Sequence, residues 1–241
     1  MATIDQQSSM ADVLDDCPAA SGLLMELGID PRRHEAQTVD QICRAYGLDP
    51  HFMLDVMLAS ELPPVGDENT DWSRAPLNAL VDHIVATHHA YLRRTLPKME
   101  LLLAKAGHDR GTDYAALPRL REVFRRMLPE LREHLELEEQ VLFPQVHALV
   151  RAATTPGASA ERVDRPIADV GHEYEEAVRD LADMRGATDG YKSPPDAPTA
   201  YQALMEELSA LESDLERHAY LENEILFPRA IELEKRVMGI P

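Results

Sequence analysis

The chain has 241 residues, with 44% apolar and 28% charged side chains, the composition of a folded globular protein and not of a disordered one. Lys and Arg number 24 against 43 Asp and Glu, a formal net charge of −19, which argues against a nucleic-acid-binding protein, because phosphate binding needs a basic face, and against docking on anionic lipid. Aromatic residues at 5%, a single Trp and only 11 Gly lean away from all-β folds and towards helices.

The N-terminal segment MATIDQQSSM has no basic start and no apolar stretch, so it does not read as a secretory signal. No apolar run approaches the roughly 18 residues that a membrane helix needs. The two cysteines, Cys17 and Cys43, form neither a disulfide framework nor a CxxC pair, and a reducing cytoplasm is the expected compartment.

Residues 9–60 predict short helices in SSMADVLDDC, PAASGLLMELG, TVDQICRAYG and DPHFMLDVML. Ser9, Thr38 and Asp49 are the expected N-caps, Pro18 and Pro50 first-turn residues, and Gly28 and Gly47 stops. This small helical domain, 1–60, is followed by the polar, proline-containing linker 61–76.

From 77 to 241 four long amphipathic stretches follow, near 76–106, 115–152, 161–185 and 197–238, with no alternating strand pattern between them. The expected fold class is all-α, an up-down four-helix bundle. In the first stretch the apolar line Leu77, Leu80, Val81, Ile84, Val85, Leu92, Leu96, Met99 leaves both His88 and His89 near the buried side, and periodicity alone does not choose between them. His83 sits off the line. The second stretch buries Leu120, Phe124, Met127, Leu131, His134, Glu138 and Val141. The third runs Ile167, Val170, Tyr174, Val178, Leu181, while His172 shares the opposite side with Asp169, Glu175, Glu176 and Arg179. The fourth buries Leu204, Leu208, Leu211, Leu215, His218, Glu222 and Ile225.

The second and fourth stretches repeat each other. HLELEEQVLFP (134–144) and HAYLENEILFP (218–228) share His, Glu at i+4 and a Leu-Phe-Pro tail at identical offsets, 84 residues apart. Residues i and i+4 lie on one helix face. His134/Glu138 and His218/Glu222 therefore aim two imidazoles and two carboxylates inward, where an uncompensated charge costs several kcal/mol and a metal ion removes that cost. Imidazole with carboxylate suits iron, manganese or zinc, and carboxylates from two helices can bridge two ions. A Glu-x-x-His arrangement is the more familiar one in di-iron bundles; here the order is reversed and the gap is four. Tyr174, on the buried line of the third stretch, reads either as a ligand oxygen or as a hydrogen bonder beside the ions. Pro144 and Pro228 either kink their helices just past the site or end them.

These motifs, with DWSRAPL (71–77) and LVDHIVATHHAYLRRTLP (80–97), resemble the hemerythrin-like Repair of Iron Centers proteins, the ScdA-type or YtfE-type di-iron family, over essentially the whole chain. The resemblance implies two iron ions with an oxo or hydroxo bridge, or manganese or zinc in their place. It implies His89, not His88, as the first-helix ligand, joined by His134, Glu138, His218 and Glu222, with both glutamates bridging. Where the family has a third-helix His, this chain has Tyr174, so one ion meets a tyrosinate or an open position; His88 and His172 stand in reserve. The family's adjacent Cys-Cys in the N-terminal module is replaced by Arg32-Arg33. The implied function is an iron–sulfur cluster repair protein that binds NO, O2 or reactive oxygen under nitrosative or oxidative stress. Iron–sulfur proteins would be its clients, and the N-terminal domain a surface for homodimers. Reversible O2 or NO sensing without turnover, and a peroxide-consuming catalase-like enzyme, are the competing functions.

Overall fold

The computed structural model describes residues 4–60, 70–110, 114–155 and 158–239, with side chains at all of these except Arg110, Asp169 and 171–175. The fold is all-α: among the described residues the only β pairing is an isolated antiparallel bridge between Ser9 and Thr38. No helix is long and apolar enough to cross a membrane among these residues.

Four short helices come first: α1 (Met10–Asp16), α2 (Ala20–Glu26), α3 (Val39–Tyr46) and α4 (Pro50–Ala59). Each expected cap is used. The side chains of Ser9, Thr38 and Asp49 accept from Asp12, Gln41 and Phe52 backbone N–H groups, and Gln41 returns the bond to complete a capping box. Gly47 ends α3 in the left-handed conformation at φ 69°, which a Cβ would strain. Pro18 precedes α2 by two residues, outside its first turn. The linker's first part, 61–69, lies outside the described residues.

The remaining helices are α5 (Leu77–Ile84), α6 (Ala90–Arg110), α7 (Ala116–Leu137), α8 (Phe143–Thr154), α9 (Asp164–Ala187), α10 (Thr199–Tyr220) and α11 (Phe227–Met238). Between α5 and α6, α7 and α8, and α10 and α11 the chain stays helical but widens into π turns, at Val85–His89, Glu138–Leu142 and Leu221–Leu226. In the last two, the N–H of Phe143 reaches back to the Glu138 carbonyl and that of Phe227 to the Glu222 carbonyl, five residues each. Pro144 and Pro228 follow at once, so neither ends its helix. A proline cannot donate to the carbonyl four residues back and its ring crowds it, and the wider turn accommodates both defects.

The extra residue also shifts the buried face. Val141 is exposed, contrary to the expected stripe, and Leu142 takes the inward place, followed by Phe143, Val146 and Leu149. On α9 Val178 is likewise exposed and the buried line passes through Val170, Leu181 and Met184. Eight residues carry the helix about 80° past a repeat, whereas eleven return it nearly to register.

By contacts the chain forms two compact units. The first comprises 1–63, 92–124 and 184–211, so the N-terminal helices share it with segments of the long helices. Within it, α3 packs on α4, and α2 on α1 and α4. Lys98 of α6 places its ammonium 2.6 Å from Glu26 of α2 and 2.7 Å from Glu207 of α10. Burial disfavours its charge, but the two carboxylates prevail and hold its pKa above the ordinary lysine value.

The second unit comprises 64–91, 125–183 and 212–241. Its core joins Leu80, Ile84, Leu142, Phe143, Leu221 and Leu226, among others. Glu234 of α11 is buried and caps α9 from 70 residues away in sequence. Its Oε2 accepts from the backbone N–H of Val163 (3.0 Å) and Asp164 (3.2 Å), and its Oε1 lies 3.2 Å from Arg162 Nε. Farther along α9, Asp180 is buried against Arg126 of α7. Because charge-assisted hydrogen bonds to a buried carboxylate contribute about 1.5–3 kcal/mol, Glu234→Ala is expected to lower unfolding stability by that order. Glu234→Gln, which keeps an acceptor, should lose less; urea denaturation of both variants measures the difference.

Candidate metal centre

Every residue of the cluster belongs to the second unit. His88 and His89 lie on the first π turn. His134 sits in the last turn of α7, with Glu138 one helical turn on, at the start of the second π turn. His218 ends α10, with Glu222 in the third π turn. Three wide turns thus meet where the buried polar residues gather, and π turns recur at functional sites. His89 and Glu138 are fully buried at 0% exposure, His218 and Glu222 at 3%.

One donor atom from each of His89, Glu138, His218 and Glu222 lies within 4.8 Å of all the others. The imidazoles present Nε2: that of His89 is 3.2 Å and that of His134 3.4 Å from Glu138 Oε2, and that of His218 is 2.9 Å from Glu222 Oε1. The His134 ring lies 6.4 Å from the His218 ring. His88 is buried and stacks parallel to His218 at 5.3 Å, so both neighbours left open by periodicity are inside. His83 is half-buried against Trp72, not free at the surface. Tyr174 and His172 lie on α9 among the residues whose side chains are outside the description.

The electrostatics follow from burial and pairing. Burial works against the His218 charge, but Glu222, by its charge and hydrogen bond, and Asp214 overcome it and hold the His218 pKa above 6.5. Burial likewise opposes the Glu222 charge, and the neighbouring His218 overcomes it and lowers that carboxyl's pKa. At His134 burial prevails and depresses the pKa; Glu222 resists, and His218 adds to the fall.

Two carboxylates escaped the sequence reading. Glu139 Oε1 is 2.6 Å from His89 Nδ1, and Asp214 Oδ1 is 2.8 Å from His88 Nδ1. With Nδ1 engaged, each ring leaves its Nε2 for another task, the usual way a carboxylate orients a ligating imidazole. Asp214 did have a signal: it stands four residues before His218, as Glu130 stands before His134, so each repeat carries an acid, a His and a Glu at one-turn spacing. Glu139 had none beyond adjacency to Glu138.

The donor set is therefore imidazole nitrogens and carboxylate oxygens, buried, pre-aimed and converging. That chemistry fits a borderline divalent metal, and two carboxylates from different helices suit a pair of ions.

The match to known proteins agrees. The model of the hemerythrin HHE cation binding domain covers residues 80–230. The iron-sulfur cluster repair protein YtfE of Edwardsiella ictaluri is 32% identical over 89% of this chain and 92% of its own length. The protein of that name from Escherichia coli O81 is 31% identical over the same shares. That from Musicola paradisiaca is 29% identical over 94% and 97%. With three π turns meeting at buried His-x-x-x-Glu pairs and likeness along nearly its full length, this chain belongs to the hemerythrin HHE family, in its ScdA/YtfE-type branch.

Proposed function

We propose that the chain is a di-iron protein of the iron–sulfur cluster repair type. In this reading His89, His134, Glu138, His218, Glu222 and Tyr174 would hold two irons. The convergence of four buried donor atoms within 4.8 Å carries it. Tyr174 is assigned by its sequence position on α9, a helix held by Glu234 at its start and by Asp180 beyond it. Iron bound there supplies redox change and open positions for NO, O2 or peroxide, in a reducing cytoplasm whose damaged iron–sulfur proteins are the clients.

The chain's own residues do the rest. Glu139 fixes the His89 ring so that Nε2 faces the ions. The Phe143 ring lies 5.5 Å from the His89 ring, and Leu142 and Leu221 are fully buried nearby in the same core, which keeps bulk water away. His134, its pKa depressed, is neutral and ready as a ligand; His218 must release its shared proton before a metal takes its Nε2.

Purified without chelators, the chain is expected to carry about two irons, falling below about one in His134→Ala/His218→Ala, as site affinity depends on every ligand. Elemental analysis decides; an unchanged low content in both proteins would defeat the reading. Tyr174→Phe should abolish a visible tyrosinate-to-iron band while leaving iron bound, read by absorption spectroscopy.

The pH dependence has a definite sign. In the metal-free chain the His218–Glu222 pair stabilises between the depressed Glu222 pKa and the raised His218 pKa. That contribution is present in full between the ordinary carboxyl and imidazole values; it fades as pH rises through the raised His218 pKa and as pH falls through the depressed Glu222 pKa. Metal binding releases the proton and strengthens over the same rise. The gap in melting temperature between loaded and metal-free protein should therefore widen as pH increases through neutrality, measured by thermal melts at stepped pH.

A further inference from the structure

The single tryptophan is linked to the cluster by rings. Trp72 stacks on His83, centroids 4.2 Å apart and planes at 23°. His83 meets His88 edge-on at 6.0 Å, and His88 stacks on His218 at 5.3 Å with planes at 3°. Exposure falls along the series. Trp72 and His83 are half-buried, His88 is 4% exposed and His218 3%. The outer end is rigidly held: Arg229 donates to the backbone carbonyls of Trp72 (2.8 Å) and Ala75 (2.6 Å).

Apolar packing alone does not call for this arrangement. A Trp paired with a half-buried imidazole, which leads ring by ring to a buried polar cluster, is a poor way to fill a core. It is a good way to move an electron, because electronic coupling falls off steeply with the gap between π systems. Indole is oxidised far more readily than imidazole. The histidines therefore act as the medium and Trp72 as the station.

We propose that Trp72 is the redox outlet of the metal centre, connected to it through His83, His88 and His218; this rests on the metal-binding reading above. When hydrogen peroxide is reduced at the loaded site, it takes up two electrons and two protons and leaves as two waters. Of these two electrons the Trp72 indole would give one; iron held by the site residues would give the other and remain one oxidation level higher. The indole gives its Nε1 proton to solvent and becomes a neutral radical. A small thiol at the surface then returns one hydrogen atom to the indole, and two thiyl radicals join as a disulfide. The oxidising equivalent leaves through the surface and the buried ligands are spared.

The experiment uses the full chain loaded with iron, treated with hydrogen peroxide and freeze-quenched for electron paramagnetic resonance. Iron content is determined on the same samples. An indole radical is expected, absent in Trp72→Phe, weakened by roughly an order of magnitude in His83→Ala, and restored in His83→Phe, which keeps a ring in the gap. Peptide mapping should find oxidation moved from Trp72 to the site histidines in Trp72→Phe. With iron bound, a missing radical, a radical on tyrosine or one unchanged in His83→Ala overturns the outlet. A chain that takes up no iron overturns the reading beneath it.

Discussion

Two carboxylates, Glu138 and Glu222, are sunk at 0% and 3% exposure in a helical core, and the architecture around them follows from that constraint. An isolated ionised group there costs far more than any one packing contact returns. Imidazoles offset part of the cost, as the paired His218 and Glu222 show by moving each other's pKa in opposite directions. But His134 is pushed the other way, towards neutrality, so protons alone do not balance the cluster. A divalent ion does so with the same donor atoms and leaves all the imidazoles neutral, the state in which they ligate.

The π turns are the second consequence. A regular helix presents one residue per turn to a given line. At each of these sites the chain needs bulk, a donor and a proline within a few residues. The inserted residue lets His88 and His89 both turn inside and lets Leu142 replace Val141 at the core, while Pro144 and Pro228 follow without ending the helix. Such turns are less stable than α turns, so they persist where the surroundings over-determine them. The Leu-Phe-Pro tail common to both repeats marks that device. Phe closes the π hydrogen bond, Pro begins the next helix, and Leu142 and Leu226 are fully buried.

Much of this was legible in the residues. The long helices, the caps at Ser9, Thr38 and Asp49, and the inward His and Glu of both repeats follow from a period of 3.6 and from cap chemistry. What periodicity missed came from departures from that period. A straight stripe puts Val141 inside and cannot choose between His88 and His89, because a π turn changes the register midway and a fixed period carries no sign of the change. Glu139 and Asp214 were hidden for a different reason. Both belong to a strongly acidic chain in which a carboxylate beside a buried line is commonplace; one-turn spacing marks Asp214 alone, and the folded positions show that each meets an imidazole nitrogen.

The N-terminal helices bear on how electrons reach such a site. The family resemblance implies adjacent cysteines where this chain has Arg32-Arg33, and its own two thiols are poor substitutes. Cys43 is buried, and that burial, with Asp49 and Asp40, pushes its pKa to about 12, so the thiolate is scarce at neutral pH. Cys17 is buried too, its Sγ 3.1 Å from the Met57 carbonyl, in the manner of a small core residue. Dithiol chemistry therefore has no ready place in residues 4–60. Redox exchange at a buried centre still needs a path to the surface, and a chain without reactive thiols must make that path from other side chains. Closely spaced aromatic rings are the available material, and the second unit has them in line, at Trp72, His83, His88 and His218, with successive centroids 4.2, 6.0 and 5.3 Å apart.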